Sequence, residues 1–274
     1  MNHEIIIKPK KGFATVDFKE LWRYRELLYF FAWRDIKLRY KQTVIGIGWA
    51  ILQPFLMMVV FSIIFGSIAK VPSDNIPYPI FSYAGLLFWN IFSNSLNNAS
   101  QSLVVSSNII QKVYLPRIIL PTASIIVTLA DFFFAFLVFA GILIYYQFMP
   151  NFLGLVLLLP LLFITIIASM GLGLFLSALN VKYRDVRYAL PFFIQLLIFI
   201  TPVIYPISIV AEKYRWILAL NPMTGIIETF KSALLGTTAI DWITLSISVI
   251  TSLVFLLFGL WYFLKTEKIF ADII

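Results

Sequence analysis

The chain has 274 residues, 61% of them hydrophobic and 12% charged, and a formal net charge of +8. Soluble domains are about half apolar and about a quarter charged, so this composition, with a mean hydropathy of +0.93, excludes a water-soluble fold and identifies an integral membrane protein. There is no cysteine and one histidine, His3, so disulfide and thiolate chemistry are excluded and a histidine metal site or base is not expected. The positive balance is read as loops held on the cytoplasmic side of a membrane, not as a nucleic-acid surface.

Residues 1–20 are polar, without marked periodicity, and are expected to form a cytoplasmic tail with no cleavable signal peptide. Residues 21–43 are predicted to form an amphipathic helix. Trp22, Tyr29, Trp33, Ile36 and Tyr40 recur at steps of 7, 4, 3 and 4, beside a stripe of Arg23, Arg34, Lys37 and Lys41. Rings beside cations suit a helix in the headgroup plane. Charges then stop at Val44 and return only at Lys70.

A crossing helix needs about 20 apolar residues. Six are predicted, over about 44–69, 80–103, 118–146, 152–179, 189–204 and 242–264. The first carries Gly46 and Gly48, which permit close helix contact, and Pro54, which predicts a kink. The second is polar in its latter half. Amides facing lipid are costly, so they are expected to face other helices or a wet path. The fifth is short and ends in TPVIYP. Residues 207–236 are too polar for an ordinary span and are predicted to form two short helices, broken at Asn221 and Pro222, that dip into the membrane and return. Residues 266–274 form a second tail. The expected fold is all-α: six transmembrane helices, an N-terminal interface helix and a re-entrant pair before the last span.

Six crossings put both termini on one side. Seventeen Lys and Arg fall in the N-terminal region with its interface helix, the 104–117 and 180–188 loops and the C-terminal end, against four elsewhere (Lys70, Lys213, Arg215 and Lys231), which places both termini in the cytoplasm.

No G-x-x-x-x-G-K-[ST] is present, so the chain does not itself cradle ATP phosphates. There is no H-E-x-x-H and no paired metal-ligand spacing. Asp131, in the third span, and Glu228, in the dipping segment, are candidate functional acids. The alternative for each is a structural acid paired to a Ser, Thr or Tyr of another span. Sugar rings stack on aromatic faces and their hydroxyls bond to amides, so Trp89, Asn90, Phe92, Asn94 and Asn97 are candidates to line a carbohydrate path. In the 104–117 loop, Ser107 or Asn108 is placed to cap a short helix ended by Pro116, on which Ile110, Val113 and Tyr114 share one face.

The runs RDIKLRYKQTVIGIGWAILQP, KVYLPRIILP, ALNVKYRDVRYALPF and TPVIYP…LNPMTGIIETFKSALLG, in order over residues 20–265, resemble the membrane subunit of bacterial polysaccharide ABC exporters. These export O-antigen, and close relatives export teichoic acid or capsule. The resemblance implies a non-enzymatic, multi-pass permease of the cytoplasmic membrane. It implies that two copies pair with two copies of a separate subunit that binds ATP and Mg, and that they move a glycan carried on a polyprenyl diphosphate. It makes 104–117 a coupling helix, with Asn108, Ile110, Lys112, Val113, Tyr114 and Arg117 against the ATPase. It makes 207–236 an outer gate, with Tyr205, Pro206, Asn221, Pro222 and Glu228. The lipid diphosphate would meet Arg34, Lys37, Arg39 and Lys41 at the interface helix. No cofactor in this chain and no nucleic-acid partner is implied. The rivals are a same-fold permease for a small lipid or drug, a membrane glycosyl or phosphoglycosyl transferase, for which the clustered acids and metal site are missing, and a proton-coupled transporter, which would make Asp131 indispensable.

Overall fold

The structure, a computed structural model, describes residues 18–41, 46, 48–236 and 238–270. His3, most of the N-terminal tail, the first residues of the predicted first span and residues 271–274 lie outside them, as does the side chain of Tyr40. Among the described residues there are helices and no strands.

The predicted interface helix is two pieces, α1 (Phe18–Arg23) and α2 (Arg25–Lys41), divided by a turn at Tyr24 across which the helical hydrogen bonds continue. α3 (Gly48–Phe61) runs through Pro54 and widens into a π-helical stretch, Ser62–Ile68. α4 (Tyr78–Val105) starts behind Pro77. The four-residue α5 (Ser107–Ile110) leads to α6 (Ile119–Tyr145) and α7 (Phe152–Lys182). α8 (Val186–Ile200) is followed by non-helical backbone to residue 206 and a one-turn 3-10 helix at Ile207–Ile209. α9 (Glu212–Ala219), α10 (Pro222–Leu235) and α11 (Trp242–Thr266) complete the bundle, and Glu267–Ile269 adds a last turn.

The helix limits follow from local chemistry. Asn151, Asn221 and Asp241 each accept backbone N–H bonds at the start of α7, α10 and α11, satisfying donors that a helix start leaves open. Gly236, at φ +67°, closes α10 in the left-handed conformation that glycine adopts without strain.

Among the described residues, four helices are long and apolar enough to cross a membrane: Gly48–Ile68, Ile119–Tyr145, Phe152–Lys182 and Trp242–Thr266. α4 has the length, with 28 residues, but its second half is polar. α8 has 15 residues, or about 22 Å of helix against a hydrocarbon core of about 30 Å.

α4 lies at the centre, against α6, α7 and α10, while α7 also packs along α11. A larger core cluster surrounds α4 and α10. A smaller one gathers Phe31 of α2, Leu120 of α6, Ala178 of α7 and Phe263 of α11 at the bundle end where α5 lies. Phe270, expected in a free tail, is buried there against Phe263, ring centroids 5.6 Å apart.

The orientation of α2 differs from expectation. Phe31 shares a cavity wall with Leu120, and Arg39 is bonded to Asp131. Between these points α2 advances about 12 Å and α6 about 16 Å, so α2 runs along α6. The expected aromatic face is divided accordingly. Trp22, Tyr29 and Trp33 are exposed, whereas Ile36 turns inward with the buried Phe31 and Ala32.

Candidate functional site

The polar half of α4 organises the site. Its serines bond locally: Ser93, Ser100 and Ser102 donate to backbone carbonyls one turn back, and Ser95 pairs with Thr128 of α6 at 2.8 Å. Its amides face space. Asn90 and Asn94 line a cavity of about 180 Å³ with Arg39, Asp131, Trp49 and Gln53. Asn97, Asn98 and Gln101 line a second, of about 320 Å³, with Arg34, Asp35 and again Arg39. Together the two form a polar crevice bounded by α2, α4 and α6 and closed at one end by α3. Two of its amide atoms, Asn90 Nδ2 and Asn97 Oδ1, are buried without a hydrogen-bond partner among the described residues.

The charges in the crevice are paired. Arg39 donates to Asp131 Oδ2, with side chains 37% and 13% exposed, and Arg34 meets Asp35 at 2.8 Å. Asp131 is therefore a paired acid, the alternative weighed from the sequence, with a cation of the interface helix as its partner in place of a Ser, Thr or Tyr. Arg34 and Arg39, expected to hold a diphosphate, already hold carboxylates. Lys37 and Lys41 are exposed.

Trp89 and Phe92, expected in the path, are buried in the core with their rings 5.9 Å apart. Positions 90, 94, 97, 98 and 101 fall on one helical face, and 89 and 92 fall off it.

At the α5 end, Asn108, Lys112, Val113 and Tyr114 are exposed, while Ile110 is half-buried against the smaller cluster. The predicted shared face of Ile110, Val113 and Tyr114 is thus split. Tyr114 donates from its hydroxyl to Glu20 of α1 at 3.0 Å, and burial followed by this bond raises its phenol above the ordinary value. Arg117 is committed within the chain. Its guanidinium donates to the Glu267 carbonyl and stacks over Phe270 at 5.7 Å.

The expected gate residues converge on the non-helical stretch after α8. Asn221 Nδ2 donates to Thr201 Oγ1 at 2.8 Å, and Tyr205 donates to the carbonyl of Ile200 at 2.6 Å. Pro206 and Pro222 are buried, and Glu228 is buried with Oε2 unpartnered among the described residues. α9 is largely exposed, but every residue of α10 is buried. Lys231, counted from the sequence as an outer-loop charge, is 1% exposed. Its ammonium donates to the carbonyls of Pro202 and Val203 at 2.7 and 3.0 Å and lies 3.6 Å from the centre of the Phe81 ring. Tyr78 of α4 donates to the carbonyl of Ile204 at 2.6 Å.

Residues 26–235, from α2 to the end of α10, match the family described as ABC-2 type transporter. The chain belongs to that family. It is similar to the O-antigen export system permease protein RfbA of Klebsiella pneumoniae, 28% identical over 242 residues, covering 88% of this chain and 92% of the relative. It is also similar to RfbA of Myxococcus xanthus, 30% identical over 217 residues, covering 78% and 82%. The polysialic acid transport protein KpsM of Escherichia coli is 27% identical over 246 residues, covering 86% and 91%.

This ABC-2 type transporter is a multi-pass membrane protein, and its matched region contains the whole crevice and the Lys231 contacts. Sequence reasoning missed Trp49, Gln53 and Lys231 as site residues. The last left a signal: in PMTGIIETFKSALL, Lys231 stands among apolar residues three positions after Glu228, on one helical face.

Proposed function

We propose that this chain is the permease subunit of an ATP-driven exporter that moves a polyprenyl-diphosphate-linked polysaccharide, of O-antigen type, across the cytoplasmic membrane between two copies of itself. The observation that carries the reading is the amide face of α4. A row of half-buried asparagines facing a crevice is costly in a membrane protein, and it suits a substrate made of hydroxyl groups. The similarity to RfbA and KpsM, named for O-antigen export and polysialic acid transport, supports the same class.

In this reading the chain crosses six times. α4 makes one crossing, and α8 with residues 201–206 makes another, while α9 and α10 form the re-entrant pair. With Lys231 removed from the outer count, the positive residues divide seventeen to three, which supports cytoplasmic termini. The partner ATPase, which binds ATP and Mg, docks at the exposed Val113 and Tyr114. Its motion reaches α1 through the Tyr114–Glu20 bond, and α2 carries it to α6 through Arg39 and Asp131. The lipid diphosphate meets Lys37 and Lys41, the exposed cations of α2.

The experiment is paired. Co-expression with the partner ATPase and purification through a tag on this chain should recover both proteins, and deletion of the gene should strand polymer inside the cell. Single cysteines at Ser73 and Lys182, in a chain with no native cysteine, should label from outside and from inside respectively. Surface polymer at wild-type level in the deletion strain refutes the exporter, and reversed labelling refutes the topology.

A further inference from the structure

We propose that the cavity between Arg39, Asp131 and the amides of α4 is a subsite for one uncharged pyranose ring, and that it rejects phosphate. The inference deepens the exporter reading and rests on it.

Charge excludes the phosphate. Every charged side chain lining the two cavities has an opposite partner in the crevice: Arg39 with Asp131, and Arg34 with Asp35. A diphosphate reaching Arg39 would have to displace the Asp131 carboxylate. It would then sit beside that carboxylate, where like charges in a weakly polar surrounding repel strongly. An uncharged ligand meets no such penalty and leaves the ion pair intact.

The lining matches a polyol. Asn94 and Gln53, which line the cavity, each carry an amide donor pair and an acceptor, and a sugar hydroxyl uses both. Asn90 Nδ2 is buried without an acceptor among the described residues, and a buried donor left unpaired costs about 1–3 kcal/mol. Trp49, 53% exposed, supplies an aromatic face at the cavity wall, and the electron-rich face of an indole attracts the C–H side of a sugar ring.

The size allows one ring and no more. The cavity holds about 180 Å³, a little above the ~150 Å³ that takes benzene, so a pyranose would fill it. Its wall sets the amides of Asn94 and Gln53 among apolar side chains such as Pro54, Leu87, Ile91 and Phe132, a mixture that suits a ring with hydroxyls on its rim and C–H groups on its faces. The adjoining cavity of about 320 Å³, lined by Asn97, Asn98 and Gln101, continues from the shared Arg39 and offers room for the next residue of the glycan.

The test uses the full chain with its partner ATPase in lipid nanodiscs. A cysteine is placed at Asn94, or in a second variant at Trp49, and its reaction with a small charged methanethiosulfonate reagent is timed. The probes are the methyl α-glycosides of glucose, galactose, mannose and rhamnose, and separately inorganic pyrophosphate. At least one glycoside, at roughly four times its dissociation constant, should slow labelling about fivefold, while pyrophosphate has no effect and a Ser73→Cys control is unprotected. Protection by pyrophosphate would overturn the proposal in favour of an anion site. Labelling that no glycoside slows would mean the cavity holds water only, and no labelling of either variant would mean it is closed to solutes. Each of these outcomes leaves the exporter reading standing. That reading fails separately, if polymer still reaches the surface in cells lacking the gene.

Discussion

The seam between α7 and α11 makes a demanding prediction. Gly259 of α11 lies so close to α7 that a Cβ added there would stand 1.9 Å from the Gly171 carbonyl oxygen and 2.7 Å from its carbonyl carbon. Ordinary C···O contacts begin at about 3.3 Å, so Gly259→Ala requires the two backbones to part by about 1.4 Å. No side chain can yield in their place, because the obstructing atoms are backbone. Gly171 is bound in the same way, its added Cβ falling 2.3 Å from the carbonyl carbon of Phe255. Overpacking a close-packed interior costs about 1–3 kcal/mol, and a backbone-on-backbone clash belongs at the upper end. For a chain of this size that is a fall in melting temperature of about 6–12 °C. The assay is thermal unfolding of detergent-solubilised protein, followed by size-exclusion of a fluorescent fusion. Gly141→Ala is the control, since an added Cβ at Gly141 meets nothing within 4 Å. The argument is refuted if Gly259→Ala melts with the wild type, or if Gly141→Ala falls as far.

Asp131→Ala should destabilise the fold by about 1–2 kcal/mol, less than the ~3–5 kcal/mol of a fully buried pair, because Arg39 is 37% exposed and can rehydrate. The exchange Arg39→Asp with Asp131→Arg should recover most of the loss in the same melting assay, and an exchange no better than the single variant would deny the pairing. Val113→Asp, at a position 55% exposed, should leave melting and complex assembly intact while transport falls about tenfold, equal to ~1.4 kcal/mol of lost coupling; full transport would shift attention to the 180–188 loop. Asp241→Ala should cost about 1 kcal/mol as the lost cap of α11. Burial raises the Asp241 carboxyl, but hydrogen bonds from Thr244 and Ile243 outweigh it and hold the group below its ordinary value. Its contribution is present above the unfolded value of about 3.9 and lost as pH falls through the folded one, so the variant should converge with the wild type in acid and differ from it steadily above pH ~5.

The helical class was legible because each apolar run of α6, α7 and α11 carries its own evidence of length and hydropathy, with a flanking cap at α7 and α11. The break between α9 and α10 was legible from Asn221 and Pro222 alone. What failed was partnership. Asp131 and Arg39 are 92 positions apart, Arg117 and Glu267 are 150 apart, and nothing local ties either pair together. Trp89 and Phe92 were assigned to the path by residue type, when the helical period that groups the amides also turns these rings into the core. Lys231 was counted as an outer-side charge because a cation in the dipping segment reads as solvent-facing unless the carbonyls that receive it are known.

Those carbonyls bear on how the protein enters its membrane. α8 is too short to span, and the backbone of residues 201–206 that follows has no helix of its own to satisfy it, a condition that lipid does not tolerate. Its carbonyls are served by Lys231, from a residue made later, and by Tyr78, made earlier. Lys231 in turn is a poor candidate for lipid, costing about 2.5–3.5 kcal/mol at the centre of a helix on insertion scales, until Pro202 and Val203 receive it. Neither segment is fit for the bilayer alone, and each supplies what the other lacks. In the six-crossing reading proposed above, α8 and α10 therefore suit the bilayer only as a packed pair.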